Sequence, residues 1–469
     1  MPQLPSGFIE RVTGIVGGPF VFADAASLEA YGVDALKQPH PADLVVLPGS
    51  TEEISSIAKV CDEQRVPIVV RGGGTGYTGG AVPTRGGVVL SLQRLNRILE
   101  IDAANLLARV QPNVITGDLH DAVERVGLFY PPDPASLRQS AIGGNVAECA
   151  GGPRAFKYGT TKRYVLALEA VLPTGEIIHT GSKAVKSVVG YDLTHLLTGS
   201  EGTLAIITEI VLRLVPKPPT QRTLRAAFKD IGSAVDAVTR LLQLRVVPAA
   251  VELVDRDSLD ALHAHLGKSL VPADSGAALI LEVDGMASAV EEEIALVEQA
   301  CLTARATDVH RAGNDAEREE MWQMRRELSA ALKRISSTKL NNDVVVPRGR
   351  VPQLFDLVAR IREESRLPIA CFGHAGDGNI HVNIMVPEGM RDEERVMTRA
   401  REAERALFEG VVALEGSISG EHGIGFTKAR YLHLELSDAE IAPMKRVKAA
   451  FDPHGILNPG KIFPDGRDR

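Results

Sequence analysis

The sequence predicts an α+β protein built from at least two folding units. The chain has 469 residues, of which 44% are hydrophobic, so it is too apolar for a disordered chain and too long for one core. Apolar strand-like runs alternate with amphipathic helical patterns and glycine-rich turns over residues 40–217. Prolines cluster in residues 215–220, where they can neither continue nor open a central strand. We therefore place a domain boundary between residues 217 and 218.

The first unit is predicted from short, alternating segments after a helical lead-in over residues 1–39. Residues 51–65 predict a helix because Ile54, Ile57, Ala58 and Cys61 recur at helical spacing. The other predicted elements are strands at 66–70, 88–92, 107–111 and 204–215, a helix at 116–126 and a hairpin over 165–179.

The second unit, residues 218–425, is predicted to be a sheet with helices on one face. A helical C-terminal segment follows at 426–469. The helices of the second unit are expected near 230–244, 288–303, 351–365 and 394–414, between strands such as 277–283 and 343–346.

Composition argues against several function classes. The chain carries 52 Lys and Arg against 60 Asp and Glu, which disfavours binding to nucleic acid. No apolar run is long enough for a transmembrane helix, and the first residues do not resemble a signal peptide. The four cysteines are scattered, which argues against iron–sulfur and c-type haem sites and favours a reducing, cytoplasmic location.

Glycine is concentrated in a few short runs. Residues 71–80, RGGGTGYTGG, contain six glycines and directly follow a predicted buried strand. Such a loop can turn its backbone N–H groups toward a phosphate or pyrophosphate, although a flexible surface turn is the alternative. The helix that a Rossmann fingerprint requires is absent, because AVPTRGG follows. Three further glycine segments, 142–147, 151–154 and 199–204, suggest one long ligand passing several loops.

These segments carry a resemblance to a known family. RGGGTGYTGG, PPDPAS at 131–136, IGGNVAECAGGPRAFKYG at 142–159, VGYD at 189–192 and GSEGTLAIIT at 199–208 resemble the FAD-binding domain of the vanillyl-alcohol-oxidase flavoproteins. The nearest branch contains the FAD subunit of glycolate oxidase, FAD-linked D-lactate dehydrogenases and D-2-hydroxyglutarate dehydrogenase. The resemblance implies a two-subdomain FAD-binding domain, formed by 40–217 and 426–469, with an α+β substrate-capping domain at 218–425.

The same resemblance implies that the 71–80 loop holds the pyrophosphate of FAD. No sequence motif suggests covalent attachment, so the flavin is expected to be bound without a covalent bond. A Gly74→Val variant should therefore lose FAD. The residues that it assigns to FAD are Arg71, Gly72, Gly73, Gly74, Thr75, Gly76, Gly79, Gly80, Pro132, Asp133, Ser136, Gly143, Gly144, Asn145, Gly151, Gly152, Tyr158, Gly159, Glu201, Gly202, Ile206 and Asn458.

Histidines form the second informative pattern. His374 and His381 flank the turn AGDGN, and Glu421 and His422 follow about forty residues later. Two histidines and a glutamate can bind a divalent metal and leave a position open, although a structural hydrogen-bond network is the alternative. The resemblance implies that His374, His381 and Glu421 bind the metal, zinc first and iron or manganese as alternatives. It also implies that His422 is the general base and that Asn383 contacts substrate.

Two cationic residues are expected at the substrate. The segment MWQMRRE resembles the family segment whose arginine holds the substrate carboxylate, and Arg325 is the matching position. Lys339 lies where relatives that bind a second carboxylate have a lysine, but its spacing to the following strand differs. Lactate-like and glycolate-like substrates therefore stay open beside 2-hydroxyglutarate.

The expected reaction is metal-assisted, FAD-dependent oxidation of a D-2-hydroxy acid to the 2-oxo acid. Electrons would pass to an iron–sulfur subunit, an electron-transfer flavoprotein, a cytochrome or a quinone, because the sequence shows no second redox motif. Oxygen as acceptor and a homodimer are both left open. The alternative is a non-catalytic flavin-binding subunit of an electron-transfer complex, which would not need the intact histidine and glutamate set.

Overall fold

The computed structural model describes residues 4–269, 271–336 and 338–464. Residues 1–3 of the predicted lead-in and 465–469 of the predicted C-terminal segment lie outside these ranges. As far as Lys217 the elements are α1 (Phe8–Val16), β1 (Val21–Phe22), α2 (Ala25–Tyr31), β2 (Leu44–Val46), α3 (Thr51–Gln64), β3 (Ile68–Arg71), β4 (Val88–Ser91), β5 (Ile98–Asp102), β6 (Leu107–Val110), α4 (Thr116–Glu124), β7 (Leu128–Phe129), α5 (Ile142–Glu148), α6 (Ala155–Tyr158), β8 (Val165–Val171), β9 (Ile177–Gly181), α7 (Leu193–Leu197), β10 (Ile206–Arg213) and β11 (Val215–Pro216).

The remaining elements follow in chain order. They are β12 (Thr220–Phe228), α8 (Ile231–Gln243), β13 (Ala250–Asp255), α9 (Arg256–Leu266), β14 (Ala277–Gly285), α10 (Ala287–Thr303), β15 (Asp308–Arg311), α11 (Asp315–Ile335), β16 (Lys339–Val345), α12 (Val351–Ser365), β17 (Ile369–His374), β18 (Asn379–Met385), α13 (Glu394–Ala413), α14 (Leu432–Glu435) and α15 (Asp438–Phe451).

These elements divide into two units. Unit 1 comprises the residues up to Gly151, Thr160–Lys217 and the residues from Glu421 onward; unit 2 comprises Gly152–Gly159 and Pro218–Gly420. The short segment Gly152–Gly159 therefore groups with the second half of the chain, a feature that the sequence analysis did not predict.

Unit 1 contains two main sheets. The first has the order β1-β2-β4-β3, with β2, β4 and β3 parallel, and α1 and α3 bury their apolar faces in its core. The predicted helix at 51–65 is confirmed as α3, which begins where the Ser50 hydroxyl accepts a hydrogen bond from the Glu53 N–H. The second sheet is antiparallel with the order β5-β6-β10-β8-β9, and its β8–β9 hairpin confirms the one predicted over 165–179.

The C-terminal segment completes the first sheet of unit 1. Ile456 and Asn458 flank Leu457, which bridges Ile68 of β3. The Ile68 N–H donates to the Ile456 carbonyl at 2.8 Å, and the Asn458 N–H donates to the Ile68 carbonyl at 2.7 Å. Residues nearly 390 positions apart in the chain therefore share one edge of the sheet.

Unit 2 is built on one antiparallel sheet with the order β15-β12-β14-β13-β17-β18-β16. Ala227, Val254, Ala278 and Phe372 share one face, where they pack with residues of α9 and α11. Their neighbours along the strands, such as Phe228, point to the opposite face and are equally buried. Helices α8 and α10 pack on β12 and β14, but their residues do not belong to the core cluster of α9 and α11.

The prediction of helices on one face of the unit 2 sheet was therefore wrong. A sheet whose strands bury side chains on both faces needs cover on both. No helix was predicted at 256–266, where Asp255, the last residue of β13, caps α9 by accepting a hydrogen bond from the Ser258 N–H.

Candidate active site

The glycine-rich loop of unit 1 begins at the end of β3 and packs closely on its neighbours. A Cβ atom at Gly73 would strike the carbonyl oxygen of Gln139, and one at Gly79 would strike the ring of Phe426. Gly74 and Gly79 also have φ values of 65° and 79°, which side chains rarely adopt. Arg71 anchors the loop, because its guanidinium donates to the Val33 carbonyl at 2.7 Å.

Two glycines near this loop face open space instead. An added Cβ would meet nothing within 4 Å at Gly144, near the start of α5, and only Asp34 Oδ2 at 4.0 Å at Gly76. Gly143, the chain neighbour of Gly144, is closely packed instead, because a Cβ added there would lie 2.6 Å from Pro112 Cβ. Backbone surrounded by space on one side and packed on the other fits a cradle for a pyrophosphate, so the residues present fit FAD.

Polar contacts hold the other predicted FAD segments in place. Asn145 is buried and donates to the Thr116 hydroxyl at 2.7 Å, and Thr116 bonds the Ser140 carbonyl at 3.0 Å. The Pro132 carbonyl lies 2.9 Å from His120 Nε2. Apart from Gly80, Glu201 and Asn458, the remaining predicted FAD residues of unit 1 are Gly72, Thr75, Asp133, Ser136, Gly151, Gly202 and Ile206, whereas Gly152, Tyr158 and Gly159 lie in unit 2.

Glu201 and Asn458 connect separate segments of unit 1 by hydrogen bonds. The Asn458 amide donates to the carbonyls of Gly80 and Glu201, both at 2.9 Å. The Glu201 carboxylate accepts hydrogen bonds from the N–H groups of Ile424 and Gly425, at 2.8 and 2.6 Å. The glycine-rich loop, Glu201 and the segment that follows His422 are thus tied together.

His422 lies against the same loop. Its ring stacks on the Tyr77 ring, with 5.4 Å between centroids and 28° between planes. The Thr78 hydroxyl donates to the His422 carbonyl at 3.0 Å. The predicted base therefore sits on the loop that is predicted to hold FAD.

Glu148 is a half-buried acid, with one fully buried carboxylate oxygen, that was not recognised from the sequence. An added Cβ at Gly80 would lie 2.6 Å from one of its oxygens, and one at Gly423 would lie 2.5 Å from the other. Burial raises the pKa of Glu148 well above its ordinary value, and the carboxyls of Glu201 and Asp34 raise it further, while Lys461 opposes them. The only sequence signal was an acid inside a run of small residues.

In unit 2, one face of the sheet carries a group of buried polar side chains. In one row across the sheet, His374 is paired with Glu252 on one side and with Asn379 on the other. Two residues away along the strands, His381 is paired with Phe372 and with Asp343. Paired residues, and residues two apart on one strand, share a face. His374 and His381, which flank a turn in the sequence, lie on the paired strands β17 and β18, and the centroids of their rings are 5.4 Å apart.

Glu252 joins two predicted site residues. Its Oε1 lies 2.5 Å from His374 Nδ1, and its Oε2 accepts a hydrogen bond from Arg325 Nε. Burial alone would raise the pKa of Glu252, but Arg325 and then His374 outweigh it and lower the pKa to about 2. An ionised carboxylate therefore orients both the histidine and the arginine, whose guanidinium also lies 4.8 Å from the Phe372 ring centroid.

Asp343 lies beside the second histidine. Its Oδ1 is 3.7 Å from His381 Nδ1, and it accepts hydrogen bonds from the Asn379 amide at 2.6 Å and the Gly420 N–H at 2.9 Å. From the sequence, Asp343 was recognised only as part of a predicted strand. Alternation in KLNNDVV placed Asn341 and Asp343 on one face, which was the available signal.

The two other predicted substrate residues are on this same face. Asn383 is fully buried, and among the described residues its Oδ1 accepts no hydrogen bond. Lys339 donates to the Ser329 hydroxyl at 3.3 Å, and burial, with help from Lys333, lowers the pKa of Lys339 to about 7. The amide and the amine each offer a polar group to a small molecule.

Removing the Glu252 charge should destabilise unit 2 strongly. A Glu252→Gln variant leaves Arg325 buried beside a neutral amide, so we expect it to lower the free energy of unfolding by about 3–5 kcal/mol. Urea unfolding measures this. The control is Glu291→Gln, which breaks an exposed ion pair with Arg222 and should cost about 0–1 kcal/mol. Equal effects of the two variants would contradict the role of Glu252.

The same pair predicts a pH dependence. Because the pKa of Glu252 is lowered from 4.5 to about 2 on folding, its charge contributes stability above pH 4.5, and this contribution is lost as the pH falls toward 2. The difference in unfolding free energy between wild type and Glu252→Gln should therefore shrink across that window. A difference that is constant from pH 6 to 2 would contradict it.

Comparisons with known proteins agree with this architecture. Residues 42–181 match the family described as FAD binding domain, and residues 217–462 match that described as FAD linked oxidases, C-terminal domain. The chain is 44% identical to the glycolate oxidase subunit GlcD of Bacillus subtilis (strain 168), covering 97% of this chain and 96% of that protein. It is 36% identical to the D-lactate dehydrogenase of Anaerostipes hadrus, covering 90% and 89%.

A relative and a solved structure complete the comparison. The D-2-hydroxyglutarate dehydrogenase of Stutzerimonas stutzeri (strain A1501) is 35% identical, with 97% of this chain and 98% of that protein covered. A structure of p-cresol methylhydroxylase with substrate bound superposes with a TM-score of 0.81 at 18% identity, covering 98% of each chain, and this confirms the predicted fold class. No helix in the described ranges is both long and apolar enough to cross a membrane.

Proposed function

Because this chain belongs to the family of FAD-linked oxidases, an oxidoreductase family, we propose that it oxidises a D-2-hydroxy acid to the 2-oxo acid. The observation that carries the proposal is Glu252, which joins Arg325 and His374 on one buried face. A buried arginine suits the carboxylate that every 2-hydroxy acid has, and a histidine oriented by a carboxylate is typical of a metal ligand.

The donor chemistry of unit 2 fits a divalent metal. His374 uses Nδ1 toward Glu252, which directs Nε2 away for ligation, and His381 lies beside the carboxylate of Asp343. We propose that His374, His381 and Glu421 hold the ion, with zinc preferred. Glu421 follows Gly420, whose N–H donates to Asp343. An ion held there would supply Lewis acidity that lowers the pKa of the substrate hydroxyl.

Different side chains bind the substrate and remove its proton. Arg325 fixes the substrate carboxylate, and the Asn383 amide contacts the substrate from the same face of the sheet. His422 takes the proton from the substrate hydroxyl on an imidazole nitrogen. FAD bound by the proposed residues would supply the acceptor for the hydrogen and the electron pair that leave C2. A separate acceptor then receives the electrons.

Lys339 bears on the choice among hydroxy acids. With a pKa of about 7, its amine is partly neutral at physiological pH. Leaving it buried without a second substrate carboxylate therefore costs less free energy than leaving a permanently charged group there would. A second substrate carboxylate would favour its charged form. Glycolate and D-lactate therefore need nothing from Lys339, whereas D-2-hydroxyglutarate would use it.

Anaerobic flavin reduction tests the proposed activity. The oxidised protein should absorb near 370 and 450 nm, roughly where flavins do, and the bands should bleach with glycolate, D-lactate or D-2-hydroxyglutarate but not with L-lactate. A protein that binds FAD yet is bleached by none of these acids would instead support a non-catalytic flavin-binding subunit.

Metal ligation is tested by His381→Ala. Loss of one of three protein ligands should lower metal affinity at least 10- to 100-fold, because the ligand set is small. Elemental analysis should show the loss, and excess zinc should restore part of the activity. The matched control is His263→Ala, an exposed histidine of α9. Full wild-type activity after exhaustive chelation would contradict the metal assignment.

A further inference from the structure

We propose that Tyr77 and Glu201 are positioning residues that hold the His422 ring in the orientation required for proton transfer. The inference rests on the proposed function, in which His422 is the base. It adds two residues whose side chains act through His422 and not on the substrate.

Tyr77 fixes the ring itself. The two rings are nearly parallel, at 28°, with centroids 5.4 Å apart, and both side chains are half-buried. A histidine side chain has two torsions, and the second, which turns the ring, is broad and poorly defined by sterics alone. An aromatic surface alongside restricts that torsion, and such pairs contribute about 0.5–1.5 kcal/mol.

The backbone at His422 and the residues that follow it is held as well. The Thr78 hydroxyl donates to the His422 carbonyl, and the Thr78 carbonyl accepts from the Phe426 N–H at 3.1 Å. Between these two bonds, Gly423 and Gly425 have no side chains of their own and adopt φ values of 79° and 52°, which glycine tolerates readily.

Glu201 supplies the missing restraint. Its carboxylate accepts from the N–H groups of Ile424 and Gly425. Glu201 itself adopts φ 52°, unusual for a residue with a side chain, and is buried between Gly199 and Gly202. Backbone strain of this kind is retained when the surroundings over-determine it, here by the Asn458 amide and the Ala147 carbonyl that bond its own backbone.

The consequence is a link between cofactor loop and base. Tyr77 and Thr78 belong to the 71–80 loop, so a change in that loop reaches His422 through the ring contact and the bond from the Thr78 hydroxyl. It also reaches Phe426, four residues later, through the Thr78 carbonyl. Small errors in the placement of a reacting group cost rate without changing substrate affinity.

The test compares Tyr77→Leu, Tyr77→Phe and Glu201→Gln in the FAD-loaded protein. Tyr77→Leu should keep FAD and the substrate dissociation constant but lower the limiting rate of anaerobic flavin reduction about 3- to 10-fold. Tyr77→Phe restores the ring and should restore most of that rate. Glu201→Gln keeps one acceptor oxygen of two and should also lower the rate more than the affinity. Tyr77→Leu with a wild-type limiting rate, or with lost FAD, would overturn the proposal.

A second measurement does not depend on turnover. Diethyl pyrocarbonate modifies accessible imidazoles, and peptide mapping gives its rate at His422. That rate should rise about 3- to 10-fold in Tyr77→Leu and stay near wild type in Tyr77→Phe. If no hydroxy acid bleaches the wild type, the proposed function fails while this measurement still decides the ring contact. An unchanged rate at His422 in Tyr77→Leu would overturn it.

Discussion

A Gly144→Val variant should purify folded but without most of its FAD. The added side chain would meet no protein atom within 4 Å at its Cβ, and the residue lies in α5 with a helical backbone, so the protein itself should tolerate it. The space that valine would enter is the space proposed for the cofactor. Absorbance at 450 nm relative to protein, measured after purification, gives the occupancy.

Gly14→Val is the matched control for this variant. Gly14 also lies in a helix, α1, and an added Cβ there also meets nothing within 4 Å, but it is exposed and far along the chain from any predicted FAD segment. Both variants replace a helical glycine by the same residue, so they share the same change in intrinsic helix propensity, which is below about 1 kcal/mol. Equal, full FAD content in the two would contradict the placement of the cofactor.

Gly74→Val is a weaker test of the same site than the sequence suggested. Its φ of 65° disfavours any side chain, and the added Cβ would strike the guanidinium of Arg71. FAD loss in that variant would follow from a disturbed loop as readily as from a filled cradle. The open side of Gly144 separates these two causes.

His422→Ala should slow anaerobic flavin reduction by about 10²–10⁴-fold while FAD and metal stay bound. A positioned base contributes that much to proton removal, and the residues proposed to hold FAD and metal are left intact. Stopped-flow absorbance gives the rate, and elemental analysis gives the metal.

The rate of this variant is interpretable only if its backbone is retained and a matched histidine variant is unaffected. Removing the imidazole leaves the Thr78 bond to the residue 422 carbonyl in place, so the backbone should be retained. His263→Ala, on the exposed side of α9, should show the wild-type rate. A His422→Ala protein that reduces its flavin at the wild-type rate would assign the base to another residue.

Local patterns predicted the elements well but not their partners. α3 and the β8–β9 hairpin follow from spacing within about fifteen residues, which a sequence shows directly. Glu252 could not be recognised in the same way. An acid within the largely apolar strand AVELVD becomes informative only when the register sets it beside His374, 122 positions later.

The candidate site shows the same division. The glycine loop, His374, His381 and His422 were found because their neighbours form recognisable motifs. Tyr77, Glu148 and Asp343 were missed because their roles come from contacts between distant segments, such as the stack of Tyr77 on His422. The grouping of Gly152–Gly159 with unit 2 depends in the same way on Asp284, which bonds both Lys157 and Tyr158.

The return of the C-terminal segment to β3 sets an order of events during synthesis. About 200 residues of unit 2 are translated between the two parts of unit 1, which takes about 10–40 s at the usual elongation rates. Throughout that interval Ile68 lacks its Ile456 and Asn458 partners, and Gly80 lacks the Asn458 amide. The nascent chain therefore emerges with an open sheet edge, and the cradle is finished only after Asn458 has left the ribosome.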